Sequence, residues 1–185
     1  MHALIFSFFV TFAYSADDLR QKISSMKVHK MTAAVVQTKS SPYFLKPLIS
    51  HIDLTYTPKE IRWHMKDPVD SLAILTEDSL TLIQDKTTQY LKASSDPKVG
   101  AIVKMIHAII KLDLPQIEKD FELTFTTDSV KAHARSKPQS AAGSLVTSLE
   151  IVFKTTVDKN LIPSVVNLII GEEKNYLIFN DVHLE

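Results

Sequence analysis

The sequence predicts an α+β protein built on one large, strongly curved antiparallel sheet. Short stretches in which apolar and polar residues alternate recur along most of the chain, as expected for strands with one buried face. There are about nine to eleven such stretches. One long aliphatic helix interrupts them in mid-sequence, and a twisted sheet of this size must cover its concave side. We therefore expect the helix to fill that side.

The composition fits one ordinary globular domain. The chain has 185 residues, of which 45% are apolar, and this is enough to build a core. The 21 basic residues balance the 21 acidic residues, so we expect neither nucleic-acid binding nor a polybasic lipid-binding patch. The chain has no cysteine, which excludes disulfides and a thiol nucleophile. Because we find no repeat or linker, we place a single domain over residues 16–185.

Residues 1–15, MHALIFSFFVTFAYS, are predicted to be a signal peptide. The run is apolar, and Ala13 and Ser15 are the small residues at −3 and −1 of a cut before Ala16. It is shorter than the roughly 20 apolar residues that span a bilayer. We expect export, and the alternative is a buried N-terminal strand.

Helices are predicted where apolar residues recur at three- and four-residue steps. Leu19 and Ile23 mark a short amphipathic helix after the signal peptide. The mid-sequence helix, DPKVGAIVKMIHAIIKL, has Asp96 as its N-cap and Pro97 at its first helical position. A short third helix is expected over residues 115–120.

The stretch IRWHMKDP, residues 61–68, contains the only tryptophan of the chain. Successive side chains of a strand point to opposite faces. Ile61, Trp63 and Met65 therefore share the apolar face, and His64 points the other way. This parity makes the stretch part of an apolar wall instead of a catalytic or metal cluster.

No catalytic or metal site is predicted. The histidines show neither HxH nor HxxxH spacing. With three glycines in the chain, neither a G-x-S-x-G elbow nor a glycine-rich phosphate loop can be found. Paired carboxylates occur only in turns or near a terminus. We expect a protein that is not an enzyme and has no cofactor or metal.

Residues 19–91 resemble the periplasmic outer-membrane lipoprotein carrier LolA and its lipid-carrier relatives. The resemblance is carried by short motifs along this segment. These are Gln37 in AAVVQTK, LISHIDL at residues 48–54, the turn proline Pro58, Trp63 in its strand, Pro68, and the hairpin DSLTLI.

The resemblance implies a half-open β-barrel with a helical lid that encloses an apolar cavity for acyl chains. It also implies a periplasmic monomer that takes an acylated lipoprotein or lipid client from an inner-membrane release transporter to an outer-membrane acceptor. The family fastens its lid with an arginine directly before the turn proline, but this chain has Thr57 there.

We assign the cavity wall to apolar residues of the strands and of the long helix, for each of which plain core packing is the alternative. The assigned residues are Leu54, Tyr56, Ile61, Trp63, Met65, Leu72 and Ile74 from the sheet, and Ile102, Val103, Ile106 and Ile110 from the helix.

Two other functions remain open at the level of sequence. The first is a periplasmic binding or envelope-sensing module on the same fold, with a protein partner in place of the lipid. The second is a lipid-modifying hydrolase with a degenerate site.

Overall fold

The computed structural model describes residues 15–135, 141–156 and 160–185. The predicted signal peptide lies outside these residues except for Ser15. Within the described ranges the chain forms four helices, α1 (Ala16–Ser25), α2 (Pro97–Lys111), α3 (Leu114–Ile117) and α4 (Ala141–Leu145). It also forms eleven strands, which are β1 (Met31–Ser40), β2 (Leu48–Tyr56), β3 (Ile61–Asp67), β4 (Ser71–Leu75), β5 (Ser79–Gln84), β6 (Thr87–Lys92), β7 (Phe121–Phe125), β8 (Ser129–Ala134), β9 (Val146–Thr155), β10 (Leu161–Ile170) and β11 (Glu173–Leu184).

All eleven described strands belong to one antiparallel sheet in the order β6-β5-β4-β3-β2-β1-β11-β10-β9-β8-β7. The two outer strands, β6 and β7, do not pair with each other, so the sheet is curved but not closed. This confirms the predicted α+β class with a large curved sheet. The seam between the two halves of the sheet is the pairing of β1 with β11.

Helix α1 begins with a capping box. The Ser15 hydroxyl accepts from the Asp18 backbone N–H at 3.1 Å, and the Asp18 carboxylate accepts from the Ser15 N–H at 3.2 Å. The helix buries Leu19 and Ile23. It contacts β7, where the Arg20 guanidinium lies 5.1 Å from the centre of the Phe125 ring. One edge of the sheet is therefore partly covered by this helix.

Helix α2 starts and ends with defined caps. The Asp96 carboxylate accepts from the Lys98 N–H at 2.8 Å, as predicted for an N-cap. Leu112 ends the helix in the left-handed conformation with φ of 55°. A Cβ atom on Gly100 would lie 3.0 Å from the Ala93 carbonyl oxygen. The glycine therefore lets the first turns of the helix pack closely against the preceding loop. The helix contacts β5, β6, α3 and α4.

Candidate functional site

The inner face of the sheet, on which the helices pack, is largely apolar. Register places Leu54 opposite Trp63, and Trp63 opposite Ala73. Directly opposed residues share a face. Leu54, Tyr56 and Ile61 are fully buried on this face, and Trp63 and Met65 are partly buried against the same core. These five predicted wall residues therefore do lie together.

Leu72 and Ile74 do not belong to this surface. Leu72 pairs with His64 and Ile74 pairs with Arg62, so both lie on the outer face. Their assignment to the inner wall was wrong. The inner residues of β4 are Ala73 and Leu75, because the register across the β3–β4 turn sets the parity of the whole strand.

Three of the four predicted helix residues face the core. Val103 is completely buried, and Ile106 and Ile110 pack against the core cluster. Ile102 is partly buried but is not among the residues that pack there. Ile102 lies about 100° around the helix from Val103, so its side chain points away from the most buried face.

The inner face is already filled in this structure. The apolar void between α1, α3 and strands β7 to β9 has a volume of about 10 Å³, room for at most one water molecule. A larger open groove of about 480 Å³ lies beside Tyr56, between the end of α1 and the α2–α3 connection. Trp63 and Met65 do not line either space. Both side chains are partly buried against the core, so an acyl chain on their face would have to displace residues that already pack there.

Polar side chains interrupt the inner face near one end of the sheet. Gln37 Nε2 donates to the Asn175 Oδ1 atom at 2.9 Å, and the Lys39 ammonium lies 2.7 Å from the Glu173 carboxylate. Gln37 and Lys39 share the parity of the buried Val35. This cluster was not predicted from the sequence. The alternation along β1 could have predicted it, because Gln37 and Lys39 fall on the same face as the apolar Val35.

No protein-family model and no curated protein matches the sequence. A LolA superfamily protein from Nitrosomonas europaea has a TM-score of 0.47 at 8% identity, over 94% of each chain. A DUF1329 family protein from Desulfovibrio piger has a TM-score of 0.51 at 5% identity, over 90% of each chain. A candidate outer membrane lipoprotein-sorting domain from Vibrio parahaemolyticus has a TM-score of 0.50 at 10% identity, over 90% of this chain and 91% of that one. The chain shares the fold of the last two proteins.

Thr57, at the position where the resemblance implies a lid-fastening arginine, is hydrogen-bonded within its own turn. Its hydroxyl donates to the Glu60 carbonyl oxygen and accepts from the Glu60 N–H, both at 3.2 Å. The threonine therefore closes its own turn. An ion pair joins Lys111 of α2 to Glu77 in the β4–β5 turn at 3.9 Å, and the glutamate is largely exposed.

His107 is the polar residue that α2 buries. It is 6% exposed, and neither ring nitrogen has a hydrogen-bond partner among the described residues. The backbone carbonyls of Leu75 and Thr76 lie near the ring but outside good hydrogen-bond geometry. Burial lowers the pKa of His107, with a further lowering by Lys111. The neutral imidazole is therefore favoured in this buried position.

The described residues show no group of three or more histidine, aspartate or glutamate side chains that could hold a metal ion. None of the helices in the described ranges is long and apolar enough to cross a membrane.

Proposed function

We propose that this protein is a periplasmic carrier. It binds the acyl chains of a lipoprotein or lipid against the inner face of its sheet and moves them toward the outer membrane. The observation that carries the proposal is the apolar surface shared by the sheet and α2, with Trp63 and Met65 on the sheet and Val103 and Ile106 on the helix. The fold that the chain shares with the lipoprotein-sorting domain supports this role. An inner-membrane transporter would load the client and an outer-membrane acceptor would take it.

Because the interior is filled, we expect an acyl chain to bind by replacing apolar contacts that the protein already makes. Each CH₂ group that leaves water for an apolar site contributes about 0.8 kcal/mol. Because α2 packs on the same core as Trp63 and Met65, an acyl chain bound there would displace part of the helix, which then competes with the client. This competition keeps the net affinity low enough for release.

The polar attachment of α2 is weak enough for such an exchange. An exposed ion pair of the Lys111–Glu77 kind contributes about 0–1 kcal/mol. His107 adds desolvation cost without a hydrogen bond in return. The lid is thus held mainly by apolar contacts, which an acyl chain can replace.

The single tryptophan provides a direct test. A fatty acid brominated along its chain should quench Trp63 fluorescence on contact, because the indole lies on the inner face. The matched control moves the tryptophan across the sheet with the double substitution Trp63→Phe and His64→Trp, since His64 lies on the outer face. We expect strong quenching in the natural chain and little in the control.

Equal quenching of both proteins, or quenching of neither, would overturn acyl binding at this face. Lipid extraction of the protein purified from its host, followed by mass spectrometry, tests whether a client is carried in the cell. Acyl lipid that co-purifies supports the carrier.

The filled interior also favours a second candidate, a binding or envelope-sensing module with a protein partner. In that case α2 would be a permanent part of the core. Protein that contains no acyl lipid, together with unquenched Trp63, would support this alternative.

A further inference from the structure

The connection between β1 and β2, residues 41–47, carries three consecutive large apolar side chains into solvent. Leu45 is 108% exposed and Tyr43 is 81% exposed, and Phe44 between them is also exposed. Large side chains this exposed are the most unusual feature of the surface, because soluble proteins seldom expose contiguous apolar groups without a use.

Local structure holds this tip outward. The Phe44 N–H donates to the Ser41 carbonyl oxygen at 3.1 Å, which closes a turn. Pro42 and Pro47 restrict the backbone on each side of the tip. The three side chains are therefore presented together.

Other apolar side chains reach solvent at the same end of the sheet. Val69, in the β3–β4 turn, and Ile170, at the end of β10, are exposed. Leu48 pairs with Lys39 on the inner face and is exposed as well. Apolar side chains thus reach the surface beside the tip, at the end of the sheet where Gln37 and Lys39 interrupt the inner face.

We propose that the tip of residues 43–45 inserts into the interfacial layer of a lipid bilayer and docks this end of the sheet on a membrane. Aromatic rings with a polar edge and aliphatic groups favour this layer. The Lys39 ammonium lies 5.8 Å from the Phe44 ring centre, and Lys46 adjoins the tip, so both cations can stay at headgroup level. The docking adds to the proposed carrier role but does not depend on it.

A bilayer fits this surface better than a folded protein partner. A stable protein interface buries roughly 800 Å² on each partner, and three side chains at a protruding turn offer much less. The formal net charge of the chain is zero, so we expect apolar insertion to drive binding and salt to change it little.

The absence of cysteine allows a site-specific probe. Leu45→Cys in the otherwise natural chain is labelled with an environment-sensitive fluorophore and mixed with vesicles of phosphatidylethanolamine and phosphatidylglycerol. Tyr90→Cys is the matched control, because Tyr90 is 58% exposed but lies on the outer face of the edge strand β6. We expect a blue shift at position 45 only, in low and in high salt.

A second variant measures the energetic role of the tip. The double substitution Tyr43→Ser and Leu45→Ser should weaken vesicle partitioning about tenfold or more in a flotation assay. A probe at position 45 that stays in water, or equal shifts at positions 45 and 90, would overturn the proposal. The proposal would also be overturned if the blue shift required a protein partner. It would likewise be overturned if the shift appeared without vesicles because the protein associates with itself. Failure of fatty-acid quenching at Trp63 would leave these readouts unchanged, so the two proposals fail separately.

Discussion

His107 gives α2 a response to pH through a single residue. The folded protein favours the neutral ring, so its pKa lies below the ordinary value of 6.5. Below pH 6.5 the unfolded chain takes up the proton first, and stability falls until the pH passes the folded pKa. The groups that face the ring are Lys111 on α2, and Glu77 with the Leu75 and Thr76 carbonyls on the sheet.

We predict that His107→Leu raises the free energy of unfolding and flattens its fall below pH 6.5. The leucine removes two unpaired polar atoms that cost about 1–3 kcal/mol each in a buried site. Urea unfolding between neutral and mildly acidic pH measures both effects. His133→Leu, at an exposed position on the outer face of β8, is the control that should leave the pH profile as it is. An unchanged profile in His107→Leu would contradict the prediction.

Single residues also mark the limit of prediction from sequence. Ile61, Trp63 and Met65 could be placed on the inner face because polar residues alternate with them. In β4 the run Leu72-Ala73-Ile74-Leu75 has no such alternation, so its facing depends on the register across the β3–β4 turn. The pairing of β4 with β3, which the local sequence pattern does not reveal, places Leu72 and Ile74 on the outer face.

Among the elements, α2 was the most predictable. Its apolar spacing, Asp96 N-cap and Pro97 all proved correct. The sequence did not indicate how fully the helix would fill the sheet, because packing density depends on contacts from α1, α3 and many strands at once.

The cap of α2 provides an element-scale prediction. Asp96→Ala removes the acceptor for the Lys98 and Val99 N–H groups and should cost about 1 kcal/mol. If α2 is a lid, the loss should also speed fatty-acid uptake, measured by the quenching of Trp63. Asp113→Ala, which removes the N-cap of α3, is the control that should lower stability without faster uptake. Unchanged uptake in Asp96→Ala would argue that α2 does not open.

For the whole molecule, stability should depend on the β1–β11 seam. Leu177 lies buried on the inner face of β11, opposite Gln37 and Val166. We predict that Leu177→Ala costs about 2–5 kcal/mol. The neighbouring Ile178→Ala, on the exposed outer face, should cost less. Chemical denaturation of both variants provides the comparison, and equal losses would contradict a core at the seam.

The position of this seam has a consequence for synthesis. Within the described residues, β11 is the last strand, and the two halves of the sheet meet through its pairing with β1. A nascent chain therefore lacks the strand that joins the halves until residues 173–184 have been made. The two halves of the sheet can therefore join only late in synthesis.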